Sequence, residues 1–110
     1  MERTKEVRYN FSVIPHEEQR YETAGDWIPG KPTQLFVSAL SNRNHEFLLM
    51  LHEFVEHELC KEHGISDRQV MAFDKEFEKE REAGLHSPTA DAGNDSRAPY
   101  RDEHRVATRI

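Results

Sequence analysis

The stretch Ser41 to His63 constrains this chain most, because it is the strongest helix pattern in the sequence. Ser41, Asn42 or Asn44 can cap its start, and Gly64 stands where a left-handed C-terminal cap is expected. On a wheel of about 100° per residue, Phe47, Leu48, Leu51, Phe54 and Val55 form the arc expected to face a core. Glu46, Glu53 and His57 fall outside that arc, with solvent the expected neighbour. His52 and Glu56 sit at its margin, one turn apart.

The remaining elements follow from shorter signals. Val7, Tyr9, Phe11 and Val13 alternate with polar residues and read as a half-buried strand ending at Pro15. Trp27-Ile28, the turn Pro29-Gly30-Lys31-Pro32, and Thr33 to Leu40 read as a short strand, a tight turn and a second strand. Ser66 and Gln69 form a capping box for a second helix running to about Ala83, with Gly84 after it. Gly84 to Ala98 is rich in Gly, Ser, Pro, Asp and Asn and reads as a mobile loop. Pro99 to Ile110 reads as a short last helix carrying His104. The expectation is a single α+β domain over residues 1–110. It has a small, mainly antiparallel sheet of about three strands, two main helices and a short C-terminal helix.

Composition narrows the function classes. The chain has 110 residues, 35% of them apolar, and a core of that size gains from a staple such as a metal or a partner chain. No apolar run approaches a membrane span, and no secretory signal is visible at the start. The single cysteine, Cys60, excludes an internal disulfide and fits a reducing compartment. With 15 Lys and Arg against 21 Asp and Glu, the net charge of −6 argues against a phosphate-binding surface and so against nucleic acid as partner.

Seven histidines are available for chemistry, and their spacing points to the long helix. His52 and Glu56, at i and i+4, project from one face close enough to ligate one ion. A neutral imidazole and a carboxylate suit zinc, and Glu53 beside them suits a general base acting on a metal-activated water. Other divalent ions suit the same donors. His45 and His63 share the angular strip but lie up and down the axis. Cys60 is either a further ligand or a small buried hydrophobe.

Two ligands from one helix do not complete a zinc site, which takes three protein ligands when catalytic. Asp74, between Val70 and Met71 on the apolar stripe of the second helix, is one candidate; a salt bridge or a role in orienting His52 are its other readings. His104 is the other candidate. Its segment regains Tyr100, Val106 and Ile110 after a polar gap, and so is expected to dock back on the domain. Tyr100 would then donate to a developing oxyanion. His16 is placed to face the same cleft, though no spacing demands it.

The His-Glu-x-x-Glu run at His52 to Glu56 resembles the His-Glu-x-x-His helix of zincin metallopeptidases, with Glu56 in place of the second histidine. That resemblance implies a zincin-like domain and peptide hydrolysis. Three further segments are similar to a group of small uncharacterised proteins of bacteriophages and prophages: V-I-P-H-E-E-Q-R-Y-E-T-A-G-D-W from Val13, L-H-E-F-V-E-H-E-L-C-K-E-H-G-I from Leu51, and A-P-Y-R-D-E-H from Ala98. This second resemblance implies synthesis in a bacterial cytoplasm. The expectations are therefore a zinc-dependent hydrolase acting on a peptide, or a non-enzymatic phage accessory protein that binds a host protein with any metal structural. An acidic nucleic-acid mimic is the third reading, weakened by interspersed Lys and Arg.

Overall fold

The computed structural model describes residues 4–110. Three strands, β1 (Tyr9–Ile14), β2 (Gly25–Ile28) and β3 (Thr33–Ser38), are followed by α1 (Arg43–Glu62), α2 (Asp67–Glu82) and α3 (Arg101–Thr108). The class is α+β, with a small sheet packed by two main helices and a short C-terminal one. Among the described residues, no helix is long and apolar enough to cross a membrane.

The sheet differs from the expected antiparallel arrangement in one pairing. Its order is β1-β3-β2, with β2 antiparallel to β3 and β1 parallel to β3. The short turn through Gly30 fixes β2 and β3 as a hairpin. The link before β2 includes a single 3-10 turn at His16–Glu18 and is long enough to carry the chain past the sheet. β1 therefore docks on the far edge of β3. The result puts the most buried strand in the centre, where Leu35 and Val37 are fully enclosed.

The helix ends follow the capping signals. Asn42 accepts hydrogen bonds from the Asn44 and His45 amides, and Ser66 with Gln69 closes a reciprocal capping box. Gly64 and Gly84 take positive φ just beyond α1 and α2, which glycine does without strain.

The orientation of α1 reverses the wheel reading. Its buried residues are Glu46, Glu53, Glu56, His57 and Cys60, whereas Phe47 and Leu48 are 56% and 55% exposed. Three of the four polar groups facing inward meet partners that a wheel does not contain, and the fourth, Glu53, lines a cleft. Glu46 accepts the Leu40 amide at 2.8 Å, and His57 Nδ1 lies 2.6 Å from the Tyr9 hydroxyl. Glu56 lies between two histidines. Buried polar groups with partners cost little, so the fold tolerates a polar inner face. Cys60 is a buried thiol within the cluster of Trp27, Val70, Ala98 and Tyr100, and burial pushes it up to about 12. It is packing, not a ligand. This orientation predicts that Leu48→Gln changes unfolding free energy by less than about 0.5 kcal/mol, while Phe77→Ala costs about 3–5 kcal/mol, as urea denaturation will report.

Candidate metal centre

α3 packs along α1 and presents His104 to the His52–Glu56 turn. His52 Nε2 lies 2.9 Å from Glu56 Oε2, and His104 Nδ1 lies 2.7 Å from the same oxygen. One donor atom from each of the three residues falls within 4.8 Å of the others. The two imidazoles meet edge to face at 4.9 Å between centroids. His104 and Glu56 are buried and His52 is half-buried, at the wall of a cleft of about 690 Å³.

This donor set fits a divalent ion. Tetrahedral bonds of about 2.0–2.1 Å hold ligand atoms about 3.3 Å apart, so a small outward adjustment of the two imidazoles suffices. The outer contacts fit as well. His104 Nε2 lies 3.0 Å from Asp91 Oδ2, so that ligation through Nδ1 leaves the Nε2–H donating to a carboxylate. Such a carboxylate fixes tautomer and ring orientation and makes the imidazole a stronger donor.

Electrostatics around the three groups is uneven. Burial works against the Glu56 carboxylate, but hydrogen bonds from His104 and His52 hold it below its ordinary range. His104 is desolvated too, yet its bonds to Asp91 and Glu56 raise it to about 10. Asp91 is lowered by its His104 bond. Glu53 goes the other way. It is buried, makes no hydrogen bond among the described residues, and opens onto the cleft. Burial, then the charges of Glu56, Asp26 and Asp74, lift it well above the usual carboxylate range.

Two glycines make room for these side chains. A methyl group on Gly93 would overlap the His104 ring, and one on Gly25 would overlap the Glu53 carboxyl group. The second clash is relieved by a flexible carboxylate end; the first is not, because the ring sits on its own helix against the turn at Ala92–Asn94. Gly93→Ala is therefore expected to lower zinc affinity by about 10-fold or more, measured by competition with a chromophoric chelator, and Gly25→Ala to leave it unchanged.

The sequence candidates are distributed as follows. His52, Glu56 and His104 come together, and Glu53 lines the same cleft. Asp74 does not join the group: it accepts the hydroxyls of Tyr21, at 3.2 Å, and of Tyr100. Tyr100 is thereby corrected as an oxyanion donor, since its hydroxyl is spent on Asp74. His63 pairs with Glu103 instead, and His45 lines the cleft without joining the group. His16 lies between Ser38 and Glu22 and does not line the cleft.

Asp91 escaped sequence reasoning because it lies in the segment read as a mobile loop. That segment holds the 3-10 turn at Ala92–Asn94, capped by the Asp91 side chain on the Gly93 amide at 3.0 Å. The Asp-Ala-Gly run was the available signal, since an aspartate two residues before a glycine favours such a turn.

Burial raises Asp74 from 3.8 to about 6, against the bonds from Tyr100 and Tyr21. An acid whose folded-state value is raised contributes full stability below its unfolded value and loses it as pH climbs to the folded one. Stability should fall between about pH 4 and 6 by up to about 3 kcal/mol, and Asp74→Asn should flatten that slope in thermal melts across the range.

No family model, curated protein or solved structure matches this chain.

Proposed function

We propose that this protein is a divalent-metal-dependent hydrolase, with zinc the preferred ion, held by His52, Glu56 and His104. The observation that carries the proposal is the convergence of three donor atoms within 4.8 Å at the wall of a cleft, with a buried and unpaired carboxylate, Glu53, beside them. A structural zinc site closes with four protein ligands, whereas three ligands leave a position open. Asp91 supports the reading too, because a carboxylate behind a histidine is the usual companion of a metal ligand.

A bound divalent ion would supply Lewis acidity, acidifying a water and polarising a substrate carbonyl. The chain's own residues do the rest. Glu56 would carry half of the charge that balances a divalent ion, and His52 and His104 would orient it. Glu53, held above the ordinary carboxylate range and open to the cleft, accepts the proton from the attacking water and returns it to the leaving group. Trp27 and Val70, both buried, wall the cleft and limit bulk water. A reducing bacterial cytoplasm suits the free thiol of Cys60.

The test is hydrolysis of 4-nitrophenyl acetate by purified protein. The reading expects activity that a chelator removes and one equivalent of zinc restores. Activity equal with and without metal rejects it.

A further inference from the structure

We infer that the cleft takes a compact, cationic acyl compound, one bearing an ammonium or guanidinium group near the hydrolysed bond, and not an extended polypeptide. This rests on the hydrolase reading and adds the class of substrate.

The first observation is the state of the sheet edge that borders the cleft. A polypeptide is held in extended form by pairing with free N–H and C=O groups of an edge strand. β2 is an edge strand, and Gly25 to Trp27 line the cleft. The Ser38 amide donates to the Ala24 carbonyl, so by alternation the backbone groups of Gly25 and Trp27 point away from β3. All four are already taken. The Gly25 amide donates to Thr23 Oγ1, and the same hydroxyl donates to the Gly25 carbonyl at 2.6 Å. The Trp27 amide donates to Asp26 Oδ1 at 2.9 Å, and Arg20 Nη2 donates to the Trp27 carbonyl at 3.0 Å. The edge is closed to a substrate strand.

The second observation is where charge is left over. Most carboxylates around the cleft have strong partners of their own: Asp26 and Asp67 share Arg20, Glu78 has Arg81, and Asp91 holds the His104 ring nitrogen. Asp74 has only two tyrosine hydroxyls, and Glu53, nine-tenths buried and aimed into the cleft, has no partner among the described residues. Next to a divalent ion already matched by Glu56 and Glu53, the charge left over is that of Asp74, and a low-dielectric cleft focuses it on whatever enters. An organic cation anchored by Asp74 restores the balance.

Binding of three hydroxamic acids to the zinc-loaded full chain, followed by calorimetry, tests this. Acetohydroxamic acid reports the open metal position alone. Glycine hydroxamic acid adds an ammonium group, and succinic monohydroxamic acid adds a carboxylate. Glycine hydroxamic acid is expected to bind at least about 10-fold tighter than acetohydroxamic acid, and the succinyl compound more weakly than either. The advantage should shrink below about 3-fold in Asp74→Asn and also, in the native chain, as sodium chloride rises. An N-acetylated oligoglycyl hydroxamate should gain nothing from its length. Equal binding of the three small compounds, tightening with peptide length, or uptake of a second zinc equivalent at Asp74 and Glu53 overturns the inference while leaving the metal centre standing. Failure of all of them to bind overturns the hydrolase reading, and this inference with it.

Discussion

Replacing Glu56 with Gln is expected to lower zinc affinity by at least about 100-fold, whereas Asp91→Asn, one shell out, should cost nearer 10-fold. Glu56 is the only anion of the three proposed ligands, and its Oε2 is the atom to which both imidazoles point. Gln retains the shape and can still accept a hydrogen bond from either histidine, so the packing of α3 on α1 survives while the charge that holds the ion is lost. His104→Ala belongs with Glu56→Gln, since it removes a ligand together with the link from the donor group to Asp91. Cys60→Ser should change nothing, because the thiol sits among Trp27, Val70 and Tyr100 and away from the three donors. Chelator competition on the four variants separates these classes. Equal affinities for Glu56→Gln and the native chain would remove Glu56 from the site.

Glu53→Gln should reduce zinc-dependent ester hydrolysis by about 10²–10⁴-fold while metal content stays at the native level. The distinction is between a group needed in the chemical step and one needed for binding. Glu53 lines the same cleft without belonging to the donor group, and its carboxylate is the one there with no hydrogen bond among the described residues. Glu46 provides the comparison. It is equally buried on the same helix face, but it is committed to the Leu40 amide, so Glu46→Gln should leave turnover intact. Turnover unaffected by Glu53→Gln would assign proton transfer elsewhere.

The long helix, its caps and the His52–Glu56 pair were legible because each depends on spacing along one element, and a period of 3.6 residues fixes which side chains are neighbours. The return of α3 with His104 was legible from apolar residues reappearing after a polar stretch. What spacing does not carry is the side of a helix that meets the rest of the molecule. Phe47 and Leu48 suggested one answer, yet Glu46, Glu53 and His57 face inward because Leu40, the cleft and Tyr9 receive them. Those partners are remote in the chain. The same holds for Asp91, whose meaning depends on a histidine in another element, and for Gly25 and Gly93, whose missing side chains matter only where Glu53 and His104 arrive. The parallel pairing of β1 was hidden for a related reason. Alternation identifies a strand but not the edge on which it docks, and only the burial of β3 on both flanks decides that.

The most direct measurement is the zinc K-edge absorption spectrum of the full chain loaded with one equivalent of metal. The expected spectrum shows nitrogen and oxygen neighbours only, at about 2.0–2.1 Å, with the outer scattering of two imidazoles. A sulfur scatterer near 2.3 Å, which would place Cys60 on the ion, or a shell of water with no imidazole signature, would contradict it.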